Sequence, residues 1–510
     1  MKNTAIGSAF FVLLYLASSF KTEQAIGDLL SQQLNNKIYI NFDPIAFDTV
    51  LHETLLQLLP TLKHGEVIES FYSKNGAIPL LVGNGDQHLD TLISFLRASG
   101  RHGINPAVFS TETIATMLED FKKQKFSEVR ETYAPLAKLE IRFADAYLNY
   151  VSTIKYGLVN PKEVFPSYLI KVKQPDSIFF TQLLNASNRI DTLKQIQDKS
   201  AEYKVLQHVL LREKNDSIKK ILAVNMERLR WVLPEKGEEF VQVNIPAFNL
   251  IYFKGKDTLC SMKVCVGASA DKDYELKLKY FEKTGDYKDK PKDHETPMLF
   301  SAIDSFYTNP EWNIPASIAS SELYEMARQN RNYLAKHKIK VYYKDKLVTS
   351  PSSIHWNKYD RDKLPFRFVQ QSGPGNSLGK LKFAFANASS IFLHDTNNKQ
   401  AFRLSNRAIS HGCIRLENPL AIAKLLAADA EDFENVKNEL GLATTQTKVS
   451  QKYGPNHKLS EPRMTLFSAK RPIPLLITYF TAWAKENGVA YVKDVYGLDE
   501  KLWLAMNRIK

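Results

Sequence analysis

Apolar residues recur at helical spacing through most of the first 235 residues of the chain. The stretches LDTLISFLR and IKKILAVNMERLRW place an apolar residue at every third or fourth position, which predicts amphipathic helices. Helix breakers follow both stretches: Gly100 and Gly103 after the first, and Pro234 and Gly237 after the second. The pattern therefore predicts a mainly helical region from residue 21 to about residue 235.

The pattern changes at about residue 238, where apolar and β-branched residues occur in short runs. FVQVNIPAFNLIYFKGKDTLCSMKVCVG reads as strands with a turn centred on Gly255, which is typical of a hairpin. Further short strands are predicted in IKVYYKDKLVTS, KLPFRFVQQ, LKFAFANASSIFLHDT and AFRLS. The charged segment 269–297 is predicted to be an exposed excursion, and SSELYEMARQNRNYLAKH (320–337) a helical insert that caps a cleft.

Helix and strand patterns also fill the last hundred residues. Asn418 is a favourable N-cap and Pro419 suits a first helical position. The polar segment 445–465 predicts a loop, and two strands around Glu486-Asn487-Gly488 precede a closing helix. The whole pattern predicts an α+β protein with these parts: a signal peptide or anchor at 1–20, a helical scaffold at 21–235, a mainly-β domain at 236–445 with a capping insert at about 305–348, and a segment at 446–510 that packs on one of the two domains.

The N-terminus has the features of an export signal. Lys2 precedes an uncharged run at residues 5–20 whose apolar part is shorter than the roughly 20 residues of a membrane span. Ala17 and Ser19 form a small-x-small cleavage pattern. A cleaved signal peptide and an uncleaved anchor both stay open, and both predict an exported protein.

Composition narrows the class of protein and of partner. Aromatic residues make up 11% of the chain, which is typical of a folded globular protein. Lys and Arg number 68 against 55 Asp and Glu, a formal charge of +13 that is spread along the chain. Such an excess favours polyanionic or carboxylate-rich material. Because there is no dense basic tract interleaved with aromatics, nucleic acid is not predicted as a partner.

The chain has three cysteines, and only one is a candidate for chemistry. Cys260 and Cys265 lie five positions apart in one predicted strand, on opposite faces and roughly 16 Å apart, too far for a disulfide. Cys413 instead follows a histidine in the loop sequence SHGC. An exported protein that has no disulfide framework and keeps such a thiol is unusual. This singles out Cys413 as a candidate nucleophile.

Nucleophilic thiol chemistry needs a base, N–H donors for an oxyanion and a group that holds the substrate. His394 lies 19 residues before Cys413 and ends a predicted strand, so a hairpin-like return would bring the two together. The main-chain amides of the 410–413 turn offer the donors, since glycine lets the main chain approach closely. Arg415 offers a two-pronged contact to a substrate carboxylate.

Two other interpretations of these residues stay open from spacing alone. In the first, Cys413 is a buried small hydrophobe and His411 is an ordinary loop histidine. In the second, His394, His411 and Cys413 bind zinc, although no fourth cysteine is near and Asp395 would point away from His394 on a strand.

The residues around the candidate site resemble a known family. GPGNSLGKLKFAFANASSIFLHDT followed by RAISHGCIRLENP is similar to the catalytic signature of the L,D-transpeptidases with a YkuD-type domain. Within that family the chain resembles the large periplasmic class, in which a helical scaffold precedes the catalytic domain. The likeness covers most of the chain and extends, in order, to FLRASGRHGINPAVF, YGLVNP, NMERLRWVLP, VNIPAFNL, ETPMLFSAID, NPEWNIPASIA, SSIHW and PLLITYFTAWAKENGVAYVKDVYG.

The resemblance implies a role for each candidate residue, with no metal and no cofactor. Cys413 is implied as nucleophile and His394 as base, with His411 and Gly412 on the oxyanion and substrate-contact side. Arg415 is implied to hold the stem peptide or to brace the loop, and Ser410 to contact the substrate or His394, or to shape the turn. By residue type alone, Trp312 and Trp356 are candidates to line the cleft and contact the substrate, although an aromatic residue among strands is more often part of the core.

The resemblance also implies a reaction on peptidoglycan in the periplasm. Cys413 would attack a stem tetrapeptide, release D-alanine and form a thioester, and the side-chain amine of a diamino acid in a second stem would then complete a 3→3 cross-link. Water as acceptor (an L,D-carboxypeptidase), a protein lysine as acceptor, and a non-catalytic peptidoglycan-binding scaffold are the alternatives. The implied partners are peptidoglycan stem peptides and cell-wall synthesis proteins, with membrane contact only through an N-terminal anchor.

The chain departs from this class in one respect. Many members carry a peptidoglycan-binding module between scaffold and catalytic domain, whereas LQHVLLREKNDSIKKILAVNMERLRW runs almost directly from one to the other. Substrate capture is therefore expected to depend on the scaffold, the capping insert and the positive charge.

Overall fold

The protein has an α+β fold, helical in its N-terminal part and mainly β after residue 238. The computed structural model describes residues 26–32, 34–76, 86–186, 188–286, 289–442 and 462–508. The predicted export signal and most of the predicted polar loop at 445–465 lie outside these residues. Over the described ranges, no helix has both the length and the apolar character needed to cross a bilayer.

Helices dominate the first half of the chain, as the apolar pattern predicts. Their bounds are Pro44–Leu58, Gly65–Asn75, Asp86–Arg97, Thr111–Lys123, Tyr133–Tyr156, Pro161–Val164, Ser177–Asn185, Arg189–Gln195, Ala201–Arg212 and Asp216–Arg230. The helix Tyr133–Tyr156 is the centre of this region, because its residues are buried on nearly every side. It ends at Gly157, whose φ of +100° favours glycine.

A buried ion pair joins the last of these helices to the rest of the scaffold. Glu227 accepts hydrogen bonds from the main-chain N–H groups of Leu158 and Val159 at 2.7 and 3.0 Å. Its other oxygen accepts from Nη2 of Arg230 at 2.6 Å, and both side chains are fully buried. Arg230 also donates to the carbonyl of His102 at 2.9 Å. The carboxylate thus ties three segments together at the point where the helical part ends.

Substitution of Glu227 by Gln is expected to lower the free energy of unfolding of the helical part by about 3 kcal/mol, because it leaves the Arg230 charge buried without its partner. That loss corresponds to a fall in Tm of about 6–12 °C for a unit of this size, measured by scanning calorimetry. Glu238→Gln, at an exposed position, is the matched control and should leave the Tm unchanged. Equal Tm values for both variants would contradict this account.

The second half of the chain is built on one large sheet. Its strands are β1 Glu239–Asn244, β2 Asn249–Lys254, β3 Asp257–Gly267, β4 Leu299–Thr308, β9 Leu381–Phe385, β10 Leu393–His394, β11 Ala408–Ser410, β12 Ile414–Leu416 and β13 Thr465–Thr478, in the spatial order β11-β3-β12-β10-β9-β4-β13-β1-β2. Because β2, at one end of this order, also pairs with β3 near the other end, the sheet closes on itself. The predicted hairpin at Gly255 is the β2–β3 connection.

The connection from β10 to β12 differs from the prediction. These strands pair in parallel, with Leu393 opposite Ile414, so the chain does not return as a hairpin. The predicted strand AFRLS is instead a 3₁₀-helix, Lys399–Arg403, within the crossover. Its Ala401 and Phe402 pack with the buried Cys265. Two neighbouring parallel strands need a crossover connection between them. The apolar residues of this short helix pack that crossover against the sheet.

The C-terminal segment completes the large sheet. β13 lies between β4 and β1, so this part of the chain belongs to the β core. A hairpin follows, β14 Ala482–Lys485 with β15 Gly488–Tyr491, as predicted around Glu486-Asn487-Gly488. The remaining α-helices of the second half are Tyr274–Thr284, Ala316–Ile318, Tyr324–Gln329, Tyr333–Lys336, Pro419–Leu426, Ala430–Glu439 and Leu498–Arg508.

A second, smaller unit stands over one face of the sheet, and we call it the cap (residues 312–370). Its sheet has the order β5-β8-β6-β7, with β5 Trp312–Ile314, β6 Ile339–Tyr343, β7 Lys346–Leu347 and β8 Phe366–Gln370. The cap has its own apolar core, which includes Leu323, Trp356 and Phe368. It therefore extends well beyond the predicted insert at about 305–348, because β8 pairs back onto β5 and β6.

Candidate active site

Three neighbouring strands place the predicted site residues on one face of the large sheet. In the β10–β12 pairing His394 is opposite Arg415, and in the β10–β9 pairing His394 is opposite Lys382. Side chains at paired positions share a face, so the three lie in a row with His394 in the middle. Cys413 comes two positions before Arg415. The apolar neighbours in these strands, such as Leu393, face the core of the sheet.

The cap closes this face into a cavity of about 450 Å³. Six of the seven predicted site residues line it: Cys413, His394, His411, Ser410, Arg415 and Trp312. The seventh, Gly412, does not line the cavity but forms part of the 410–413 turn. Trp312 lies on β5, on the side of the cavity that the cap forms, whereas Trp356 is buried in the apolar core of the cap. Of the two tryptophans weighed for the cleft, only Trp312 reaches it.

Cys413 is half-buried in the cavity wall, whereas Cys265 is fully buried. All three cysteines are free, and for Cys260 and Cys265 this agrees with the prediction from their spacing. Burial raises the pKa of the Cys413 thiol, and a main-chain hydrogen bond of Phe392 and the charges of Lys382 and Arg415 oppose that rise. The thiol is therefore protonated at rest, and an adjacent base is needed to activate it.

His394 is buried, lines the same cavity as this thiol and is oriented through its own strand. Its Nδ1 atom is hydrogen-bonded to the main-chain carbonyl of Asp395, so Nδ1 carries the hydrogen and Nε2 carries the lone pair. Burial, reinforced by the charge of Arg415, lowers the pKa of His394 to about 4. The imidazole is thus neutral at pH 7 and can accept a proton.

The carboxylate of Asp395 points away from the imidazole, as strand alternation predicts. It accepts hydrogen bonds from Nζ of Lys399 at 2.6 Å and from the main-chain N–H of Lys380 at 2.8 Å. The orienting group of His394 is a peptide carbonyl, and the prediction against a carboxylate triad is confirmed.

The 410–413 turn is held by its own serine and by a distant threonine. Ser410 Oγ donates to the carbonyl of Cys413 at 2.5 Å and accepts from the N–H of Gly412 at 3.2 Å. Gly412 has a φ of +109°, which side-chain-bearing residues rarely adopt. Thr296 Oγ1 donates to the carbonyl of Gly412 at 2.8 Å. Because the Gly412 N–H is bound to Ser410, it is not directed at an oxyanion here, contrary to the prediction for that amide.

His411 connects the turn to the cap. Its Nε2 lies 2.6 Å from Oε1 of Glu322, which belongs to a π-helix, Ala319–Leu323, within the cap. The ring of His294 packs against the ring of His411 with centroids 4.5 Å apart. Sequence reasoning missed both partners: Glu322 was part of a helical insert whose residues had no assigned role, and His294 lies near the end of the segment 269–297, which was predicted to be an exposed excursion. The helix Tyr274–Thr284 in that segment is indeed exposed.

Lys382 is the other site residue that sequence reasoning missed. Its Nζ lies 4.0 Å from the centroid of the Phe392 ring, and the aromatic ring lines the cavity. Burial lowers the pKa of Lys382, and the nearby Cys413 thiolate opposes this. The alternation of residues in LKFAF predicts that Lys382 faces away from the core, but it does not predict which residues lie next to it. The β9–β10 register places this lysine near the nucleophile.

Removal of the Lys382 charge, in Lys382→Met, is expected to raise the pKa of the Cys413 thiol, because one cation that favours the thiolate is lost. Alkylation of Cys413 by iodoacetamide should then require a higher pH. The extent of alkylation at each pH is measured by mass mapping of the modified peptide. Lys424→Met, on an exposed helix position, removes the same charge elsewhere and should leave the pH profile in place. Coincident profiles for the two variants would exclude this role of Lys382.

Arg415 is the last of the predicted site residues, and the predicted alternative for the site is a zinc centre. Arg415 lines the cavity, and its Nε is buried without a hydrogen-bond partner among the described residues. A partly buried guanidinium with an unused donor is suited to a ligand carboxylate. Within the same residues, no group of three or more His, Cys, Asp or Glu side chains has the arrangement of a metal site. The geometry therefore gives no support to zinc binding by His394, His411 and Cys413.

Comparisons with known proteins give matches to two family models and to a relative. Residues 238–449 match the family model of the YkuD L,D-transpeptidase catalytic domain, and residues 66–210 match that of a scaffold domain. A protein of Haemophilus influenzae named "Putative L,D-transpeptidase" is 26% identical over 366 residues. The match covers 70% of this chain and 65% of that protein, so the chain spans just under two thirds of the length of this relative.

Proposed function

The chain belongs to the L,D-transpeptidases with a YkuD catalytic domain and a scaffold domain, and from this membership we propose that it cross-links peptidoglycan through a thioester on Cys413. The observation that carries the proposal is the placement of Cys413, the neutral His394 and Arg415 in one capped cavity. We further propose that the protein acts in the periplasm, that peptidoglycan stem peptides are its partners and that the reaction needs no cofactor.

In the first half-reaction the donor is a stem tetrapeptide that ends in D-alanine. Nε2 of His394 takes the proton from the Cys413 thiol as sulfur attacks the carbonyl of the third residue. The new S–C bond forms, the C–N bond to D-alanine breaks, and the departing amine takes the proton back from His394. A carboxylate of the donor accepts hydrogen bonds from the guanidinium of Arg415, whose Nε has no other partner among the described residues.

In the second half-reaction the side-chain amine of a diamino acid from a second stem attacks the thioester. The C–N bond forms and the C–S bond breaks, and the proton lost by the amine passes through His394 to the sulfur. The product is a 3→3 cross-link and the free thiol. The cap limits access of water to the thioester, which favours an amine acceptor over hydrolysis.

The proposal is tested by the mass of the intact protein after mixing with a purified tetrapeptide muropeptide. An adduct equal to the stem minus D-alanine, mapped to the peptide that contains Cys413, would support the acyl-enzyme. The released product then separates a cross-linked dimer from a trimmed tripeptide, the outcome for an L,D-carboxypeptidase. A folded protein with a free thiol but neither adduct nor product would overturn the proposal in favour of a non-catalytic peptidoglycan-binding scaffold.

A further inference from the structure

The cavity has charges of opposite sign on its two walls. Arg415 lies on the wall that the large sheet forms, and Glu322 lies on the wall that the cap forms. Among the described residues that line the cavity, Glu322 is the only one with a carboxylate. The reaction proposed above brings together an anionic donor and an acceptor amine, which is a cation in neutral solution. The two walls therefore match the two substrates in charge.

The local structure around Glu322 holds its carboxylate towards the site. The residue belongs to the π-helix Ala319–Leu323, and π-helical turns are costly and occur often at functional positions. Oε1 is bound to His411, two residues from the nucleophile, and the side chain stays half-exposed. Within the described part of the chain, Oε2 has no hydrogen-bond donor. One carboxylate oxygen is thus anchored to the catalytic turn, and the residue lines the cavity.

The carboxylate also stays charged at neutral pH. The hydrogen bond from His411 lowers the pKa of Glu322, and burial opposes this only in part. Burial lowers the pKa of the neighbouring His294, and the positive charge of Lys292 helps to keep the pKa of Glu322 low. A protonated amine that enters along the cap would meet this negative charge in the same cavity as Cys413.

We propose that Glu322, held by His411, is the binding site for the ammonium group of the acceptor substrate. The proposal rests on the function proposed above and adds the specificity for a cationic acceptor. Glu322 is a positioning residue: it concentrates the amine beside the thioester, and the amine attacks after it has lost its proton. The same contact selects an amine-bearing acceptor over water.

The test compares two acceptors of different charge with the full-length protein and a tetrapeptide donor. A diamino-acid stem peptide carries a protonated aliphatic amine at pH 7, whereas hydroxylamine is a neutral nucleophile that also cleaves thioesters. The measured quantity is the ratio of the two aminolysis rates, because a general loss of acylation or of folded protein cancels in that ratio. In Glu322→Gln the ratio is expected to fall about fivefold through a higher KM for the peptide amine, the factor typical of an ion pair at a half-exposed site.

Two variants serve as controls. Glu325→Gln removes a partly exposed carboxylate three residues further along the cap, one that pairs with Arg328 and does not line the cavity, and should leave the ratio at the wild-type value. Glu322→Asp keeps the charge and should restore a large part of the ratio. A ratio that is unchanged in Glu322→Gln would overturn the proposal and leave Glu322 as a support for the 410–413 turn.

A measurement on the wild-type protein covers the case in which Glu322→Gln does not fold. The KM for the peptide amine should rise with ionic strength, while the rate with hydroxylamine stays constant, because salt screens only the charged pair. Equal salt dependence for both acceptors would contradict the proposal. Failure of the proposed function has a different signature, since the wild-type protein would then form no acyl adduct with the donor alone.

Discussion

Cys413→Ala is expected to abolish the acyl-enzyme and to lower D-alanine release by about 10⁴-fold or more, because a reaction that proceeds through a covalent intermediate loses its only nucleophile. The substitution removes one sulfur atom from a half-buried position, so the cavity and its other lining residues should persist. Release of D-alanine is measured with excess tetrapeptide muropeptide, and circular dichroism verifies the fold.

Cys260→Ala is the matched control for this experiment. Cys260 is a free and partly exposed thiol on β3, and it does not line the cavity. The variant should release D-alanine at the wild-type rate. A folded Cys413→Ala protein that still turned over the tetrapeptide at that rate would show that the thiol is not the nucleophile.

Replacement of His394 by Gln is expected to slow acylation by about 10²–10⁴-fold, the usual contribution of a general base. The amide occupies a similar volume but cannot take a proton from the thiol. Burial raises the pKa of Cys413, so without this base little thiolate is present at neutral pH. The acylation rate is followed by quenched-flow sampling and intact-protein mass.

The pH profile gives a second signature of His394. With its pKa lowered to about 4, the imidazole is neutral above that value and becomes protonated below it. Acylation by the wild-type protein should therefore fall as the pH drops through about 4, and this limb should be absent in His394→Gln. The control His208→Gln lies on an exposed face of a scaffold helix and should retain the wild-type profile. A wild-type rate for His394→Gln across the pH range would refute its role as base.

Much of this architecture follows from local pattern. The helical spacing of apolar residues marks the scaffold, and the change to short β-branched runs at about residue 238 marks the start of the sheet. Strand alternation correctly turns the Asp395 carboxylate away from His394, and the five-residue spacing of Cys260 and Cys265 correctly excludes a disulfide. Each of these inferences depends on residues a few positions apart, whose relative directions are set by backbone geometry alone.

The errors concern pairings between segments that are distant in the sequence. AFRLS has the composition of a strand, but its apolar residues serve to pack a crossover onto Cys265. The cap reaches to Gln370 because β8 pairs with β5 and β6, which no local period indicates. A short apolar run fits a strand or a packed turn equally well, and the partner that buries it makes the difference.

Residue identity and local pattern are enough to find the chemical groups of the site: the thiol of Cys413, the imidazole of His394 and the guanidinium of Arg415. The neighbours of these groups depend on how the chain folds. Parallel pairing of β10 with β12 sets His394 beside Arg415, and contacts across 89 and 116 residues bring Glu322 to His411 and Thr296 to Gly412. Such contacts depend on how whole strands and the cap pack together, because the backbone fixes directions only over a few residues, whereas the burial of apolar surface selects which distant segments meet.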